Sequence, residues 1–153
     1  MNAFKITFED ILPIWENELW PGRESAIESH SAMTWPFDGD PNEIDMDIFK
    51  NNASFWGIRI NKKLVGVNSG HKTSDMHYRS RGIWVHPDFR GQGLPKTLFT
   101  MLEAQAKSEG CEMIWSIPRK TALSSYTRFG FETVGDFIIT ETSDANIYVR
   151  KIL

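Results

Sequence analysis

Three groups of residues have the types and spacing to do chemistry. The first is Arg90-Gly91-Gln92-Gly93-Leu94-Pro95-Lys96. It joins a short apolar stretch, Ile83, Trp84 and Val85, to an amphipathic run. Strand, glycine turn and helix start together bind phosphate, because backbone N–H groups converge there and the helix dipole favours negative charge. The second group is Arg79 and Arg81, two apart on a predicted strand and so on one face. They could clamp a carboxylate or phosphate, or pair with nearby acids such as Asp75. The third is Tyr126, a phenol that could donate a proton. Its plainer role is to pack in the core with Ala122 and Phe129 on one helix face.

The glycine stretch discriminates between phosphate motifs. A dinucleotide fingerprint begun at Gly91 and Gly93 meets Lys96 where its third glycine belongs. A P-loop ending on Lys96-Thr97 needs glycine at positions 90 and 95, which are Arg90 and Pro95. An acyl-CoA loop of the form Q/R-x-x-G-x-G/A fits Arg90 to Leu94 and departs only at Pro95.

Residues 85–93, Val-His-Pro-Asp-Phe-Arg-Gly-Gln-Gly, resemble motif A of the Gcn5-related N-acetyltransferase (GNAT) superfamily. Ala122, Tyr126 and Gly130-Phe131, spaced A-x-x-x-Y-x-x-x-G-F, are similar to its motif B. The resemblance covers nearly the whole chain. It implies an acetyl-CoA-dependent N-acyltransferase in which a primary amine attacks the thioester directly, without a metal. It implies that Tyr126 protonates the leaving thiolate, and that the pantetheine arm pairs with backbone around Ile83, Trp84 and Val85. The phosphates fall to Arg90, Gly91, Gln92, Gly93, Leu94, Pro95 and Lys96. Arg119 replaces the family's usual Asn; with Lys120 it would meet the ribose phosphate or face water. Pro95 carries no N–H, so the loop has one donor fewer, and proline biases Leu94 away from the helical region. The same residue suits a helix start, which places the helix N-terminus within a residue or two of it.

These residues need elements to position them. Alternation predicts a strand over 4–8. A helix capped by Asp10 follows, with Pro13 in its first turn and Ile11, Trp15 and Leu19 on one face. A weaker helix over 23–33, a loop over 34–42 and a short helix over 44–50 come next. A meander of strands at 54–60, 64–72 and 76–85 leads into the glycine stretch. A helix over 96–109 has Leu98, Met101, Leu102 and Gln105/Ala106 on its core face and stops at Gly110. A strand at 113–117, a short helix at 120–128 and strands at 131–140 and 145–152 complete the order β-α-α-β-β-β-α-β-α-β-β. This is an α/β (α+β) chain: a mixed, mostly antiparallel sheet in which one crossover makes two strands parallel. The resemblance gives it the GNAT acyl-CoA N-acyltransferase fold and implies that the parallel pair splays apart.

The acceptor reads from polar residues on central strands and aromatic residues in a loop. Asn68 and His71, with Arg79 and Arg81, lie where a buried sheet is normally apolar, and buried polar groups need partners. They line a polar pocket or reach solvent. Trp35 and Phe37 are loop aromatics suited to an acceptor site, whereas Trp15 falls on a core-facing helix side. General-base candidates are Asp75, His77, Glu24, Glu28, His30 and Glu141, with a water as the alternative.

Size and charge set limits. The 153 residues predict one domain, 1–153. A net charge of −3 argues against nucleic-acid binding by bulk charge. Cys111, the one cysteine, cannot form an internal disulfide, no Cys/His cluster suggests a metal, and a packing role suits it. No run approaches the ~18 apolar residues of a membrane span, and no signal peptide is visible, so a cytoplasmic enzyme is expected. The expected substrates are acetyl-CoA and a small-molecule amine or amino acid. The rivals are a protein or peptide N-acetyltransferase and a non-catalytic acyl-CoA-binding regulatory module. Dimers are common in the superfamily, and the late strand pair offers a surface for a homodimer.

Overall fold

The computed structural model describes residues 2–37, 50–140 and 143–153. Seven strands form one sheet: β1 (Phe4–Ile6), β2 (Ser54–Ile60), β3 (Lys63–Lys72), β4 (His77–Val85), β5 (Met113–Ser116), β6 (Glu132–Thr140) and β7 (Ser143–Ile152). Their order is β1-β2-β3-β4-β5-β7-β6, with β4 and β5 parallel and every other pair antiparallel. The helices are α1 (Phe8–Ile14), α2 (Leu94–Ser108) and α3 (Leu123–Arg128). Among the described residues no helix is long and apolar enough to cross a membrane.

Each face of the sheet carries its own core. On the first face α2 buries Leu94, Leu98, Phe99, Leu102 and Ala106 against Trp56, Ile58, Val65, Tyr78 and Ile114. Each of these Leu, Ile, Val and Phe side chains contributes about 1.5–3 kcal/mol of burial. Met101, expected on this helix face, is half-buried and packs against the same core, and Phe99 joins it there near Tyr126 and Phe131. On the second face Ile11 of α1 and Trp15, just after it, cover Phe55, Val67 and Trp84. Further along that face Trp35 packs on Met113 and Trp115.

The N-terminal helix differs from expectation in its start and its middle. Thr7, rather than Asp10, is the N-cap. Its hydroxyl accepts the Asp10 N–H, and the Asp10 carboxylate accepts the Thr7 N–H, a reciprocal capping box. Pro13 therefore sits inside α1 instead of in its first turn. Its missing N–H interrupts the ladder, and the next turn, Trp15–Leu19, widens to a π-helix closed by the Trp20 N–H on the Trp15 carbonyl. The Asn17 side chain donates to the Pro13 carbonyl at 2.7 Å.

Residues 23–33 form no helix. Their serines and His30 bond locally, as in the Ser29–His30 contact at 2.8 Å. Tertiary bonds then hold the backbone open: the Glu28 carbonyl accepts from Arg81, His30 bonds the Asn51 carbonyl, and the Ser31 N–H reaches His71. The short helix expected over 44–50 falls, but for Lys50, outside the described residues.

Candidate active site

The sheet is opened at one place. β4 and β5 pair only at His77↔Met113, Tyr78↔Ile114 and Arg79↔Trp115. Beyond that rung β4 continues to Val85 while β5 ends at Ser116. A β-bulge bends β4 here. Three steps, Arg81 to Trp84, lie opposite two, Val67 to Ser69. Gly82 is in the bulge with φ +76°, and its carbonyl accepts the Trp15 indole N–H at 2.9 Å. The glycine inside an otherwise strand-like run was the sequence signal for this bulge.

The glycine loop lies at the mouth of the opening. After the turn Pro87–Phe89, Gly91 and Gly93 take φ +76° and +79°. A Cβ at either would meet no protein atom within 4 Å, so the loop's outer side is bare backbone. Pro95 is the second residue of α2, where its lack of an N–H breaks no intrahelical bond. Leu94 is already the first helical residue. The bias that proline imposes on its predecessor is overruled here by burial of the Leu94 side chain in the core.

A cleft of about 800 Å³ runs from this loop to α3. Its walls include Ile83, Trp84, Val85, Arg90, Gly91, Gly93, Pro95 and Lys96, and across from them Leu19, Thr121, Ala122, Ser124, Ser125, Arg128 and Phe129. Among the described residues three cations and no carboxylate line it, on a chain whose net charge is −3. Sequence reasoning missed Arg128 and the hydroxyl run Thr121, Ser124 and Ser125. Their spacing of three and four residues around Ala122 and Phe129 was the available signal.

Tyr126 does not line the cleft; it is buried behind it, 1% exposed. Its hydroxyl lies 2.9 Å from Ser80 Oγ and donates to Ser116 Oγ at 3.2 Å. Ser80 and Ser116 are the first residues past the last paired rung. Asn68 holds Ser80 through two contacts at 3.1 and 3.2 Å, and Ser116 Oγ donates to the Ser80 carbonyl at 2.7 Å. Burial raises the Tyr126 pKa above its ordinary value, so the phenol keeps its proton through neutral pH.

The polar residues expected to act together are divided between the faces. Asn68 belongs to the Tyr126 network on the first face. His71, an odd number of residues away, is on the second with Arg79 and Arg81. Arg81 is occupied: Nη1 donates to the Glu28 carbonyl at 2.7 Å, and the guanidinium lies over Trp15 and Trp20. Arg79 lies over Trp115 at 5.1 Å, but its Nε and Nη1 have no hydrogen-bond partner. Neither arginine pairs with Asp75 or any other carboxylate among the described residues. Burial lowers both arginine pKa values to about 10, leaving the side chains charged at neutral pH.

His71 is wholly buried; burial and the charges of Arg79, His30 and Arg81 push its pKa down to about 3. The unfolded chain, with an ordinary His71 near 6.5, takes up the proton first as pH falls. This part of the stability is therefore present above about pH 6.5 and is lost toward pH 3, at up to about 1.4 kcal/mol per pH unit. Urea unfolding across that window is expected to show a slope that His71→Gln removes. An equal slope in the variant would assign the loss to other groups.

Several expected residues lie elsewhere. Gln92 is exposed and reaches back toward the Asp88 carbonyl. Arg119 does not line the cleft. Its Nη2 donates to the Leu19 carbonyl at 2.6 Å and so ties the end of the first helix to the segment before α3. Lys120 is exposed, over Phe137. Trp35 is buried between Trp115 and Tyr148, next to the ring that carries Arg79, and Phe37 is an exposed neighbour of Tyr148. Of the base candidates, Glu24, Glu28 and Asp75 are exposed, His77 begins β4, His30 is 5.3 Å from the His71 ring, and Glu141 lies outside the described residues.

Known proteins share this architecture. A curated acetyltransferase of Pectobacterium atrosepticum is 24% identical over 134 residues, 83% of this chain and 82% of its own. A Klebsiella pneumoniae structure provisionally named an acyl-CoA N-acyltransferase superposes with a TM-score of 0.63 at 18% identity, over 99% of this chain and 97% of its own. A GNAT family acetyltransferase from Elizabethkingia anophelis, solved with acetyl-CoA bound, gives 0.55 at 14% identity over 66% of this chain and 76% of its own. The model of the acetyltransferase (GNAT) family matches residues 13–131, which contain the glycine loop, the β4/β5 opening and Tyr126. The chain belongs to the GNAT family and is an acetyltransferase of the GNAT fold.

Proposed function

We propose that the protein moves the acetyl group of acetyl-CoA onto the primary amine of a small molecule or amino acid, by direct attack of the amine on the thioester. The observation that carries this reading is the cleft, lined among the described residues by three cations and no acid, that leads from two open glycines to an opened sheet. Acetyl-CoA presents phosphates at one end and an acyl carbonyl with a thiolate leaving group at the other. Arg90, Lys96 and the loop N–H groups suit the pyrophosphate, with one donor fewer at Pro95. Arg128, with Ser124 and Ser125, adds charge and hydroxyls across the cleft. Ile83 and Val85 lie on β4 past its last rung with β5, where the Val85 carbonyl accepts from Arg90 Nε at 3.2 Å. Tyr126 Oη, fixed by Ser80 and Ser116, holds the proton that the departing sulfur requires. Cys111 has no part in this. It is buried, and burial pushes its thiol up to about 11.

Thiol release from acetyl-CoA across a panel of amines tests the reading. Release that depends on an amine is expected; acetyl-CoA binding without release on every amine would contradict it. The loop has its own test. Gly93→Ala strains a left-handed position by about 1–2 kcal/mol and puts a methyl on the open side. Calorimetry is expected to show acetyl-CoA affinity lowered roughly tenfold, as for the loss of one charge-assisted hydrogen bond. Unchanged affinity would take the phosphates off this loop.

A further inference from the structure

The second face of the sheet holds a cationic centre that the acyl-transfer machinery does not use. Arg79 is 8% exposed, and its Nε and Nη1 lack partners. His71 is its direct partner across the β3–β4 ladder, which places their Cβ atoms about 4.5–5.5 Å apart. Nε2 of His71 accepts the Ser31 N–H at 3.5 Å. Accepting there puts the imidazole proton on Nδ1, and that N–H is unpartnered as well. Three buried nitrogens of neighbouring residues are thus donors with nothing to accept from them. Arg81, two residues along, is not in the same position, because the Glu28 carbonyl and two indoles already take it.

Among the described residues no carboxylate pairs with this guanidinium, and a buried charge left unpaired costs several kcal/mol, which stability alone gives a chain no reason to keep. The position of this one is informative. Arg79 is on the last rung before β4 and β5 part, and Ser80, the next residue, holds the Tyr126 hydroxyl on the opposite face. A group bound at Arg79 is therefore one residue from the opening through which an amine would reach the thioester. Trp115 beneath the guanidinium and Trp35 beside it make an apolar, aromatic flank.

We propose that Arg79, assisted by His71 Nδ1–H, receives an oxyanion of the acceptor, so that the amine acetylated by this protein also carries a carboxylate or phosphate group. This deepens the acyl-transfer reading above and rests on it for the amine. The centre offers donors only, which fits an anion and leaves a neutral amide or hydroxyl poorly matched. Arg79 is then the specificity-determining residue, while Arg81 stays with Trp15, Trp20 and the Glu28 carbonyl.

The test compares matched acceptors on the wild-type protein: each common amino acid against its carboxamide, and aminoethyl phosphate against ethanolamine. The anionic member is expected to show a kcat/KM roughly 10–100-fold higher, and the pair that shows it identifies carboxylate or phosphate. Arg79→Met is expected to abolish the preference while raising the midpoint of thermal unfolding, since it removes an unpaired buried charge. A preference absent from the wild type, or retained in a folded Arg79→Met, would overturn the proposal. If no amine is acetylated, the acyl-transfer reading fails. Anion binding is then judged by thermal shift with acetate and inorganic phosphate: protection of the wild type beyond that of Arg79→Met supports it, and equal or absent protection overturns it. If Arg79→Met does not fold, the wild-type acceptor pairs decide alone.

Discussion

Tyr126→Phe is expected to lower kcat by roughly 10²–10⁴-fold, the usual contribution of a positioned proton donor, and to leave acetyl-CoA affinity unchanged. The change removes one oxygen from a site where all its neighbours are defined. The ring keeps its contacts with Phe99 at 4.7 Å and Phe131 at 5.1 Å, so packing is conserved. Ser80 retains Asn68, and Ser116 retains the Ser80 carbonyl. The stability cost is therefore that of one or two hydrogen bonds, about 1–2 kcal/mol. A rate loss of this size cannot then come from unfolding. Steady-state kinetics beside calorimetric acetyl-CoA binding checks both halves, and an unchanged kcat would remove Tyr126 from the chemistry.

The second large effect is structural. Gly82→Ala is expected to destabilise the protein by about 2–5 kcal/mol, combining a left-handed backbone position with overpacking. Gly82 has φ +76°, and an added Cβ would lie 2.6 Å from Trp15 Cζ2 and closer still to Nε1. Trp15 cannot easily retreat. It is wholly buried, packed on Trp20 and Phe55, and bonded through its indole to the Gly82 carbonyl. The contact joins the first helix to the bulge that bends β4, so acyl transfer is expected to fall with stability. Chemical unfolding should show a lower midpoint at an unchanged slope. A variant as stable as the wild type would mean that Trp15 does not brace the bulge.

Local patterns carried much of this architecture. The period-two meander, the helix after the glycines and the single parallel crossover all follow from side-chain alternation and from glycine and proline placement. Both ends of β2 and the helix start beside Pro95 come from the same signals. What pattern could not supply depends on partners distant in sequence. Residues 23–33 have a weak helical pattern, but Arg81, Asn51 and His71 hold their backbone in another shape. Arg79 and Arg81 look equivalent as a pair two apart. The Glu28 carbonyl and the ring of Trp20, from a different part of the chain, hold Arg81, whereas Nε and Nη1 of Arg79 lack partners. Asn68 and His71 were grouped by proximity in sequence, although an odd spacing on a strand already put them on opposite faces. Arg119, at the position of the family's usual Asn, reads as meeting the ribose phosphate or facing water; a bond to the Leu19 carbonyl, about a hundred residues earlier in the chain, is not written in that pattern. The cleft's third cation, Arg128, became visible only when α3 was folded across from the glycine loop.

The central claim is that the opened strand pair delivers the acyl group directly to an amine. A single-turnover experiment tests it most directly, with enzyme in excess over acetyl-CoA and CoA release followed before and after an amine is added. Direct transfer predicts no release until the amine arrives, then one CoA and one acetylated amine for each acetyl-CoA consumed. A burst of CoA before any amine is present, leaving an acylated protein, would contradict it.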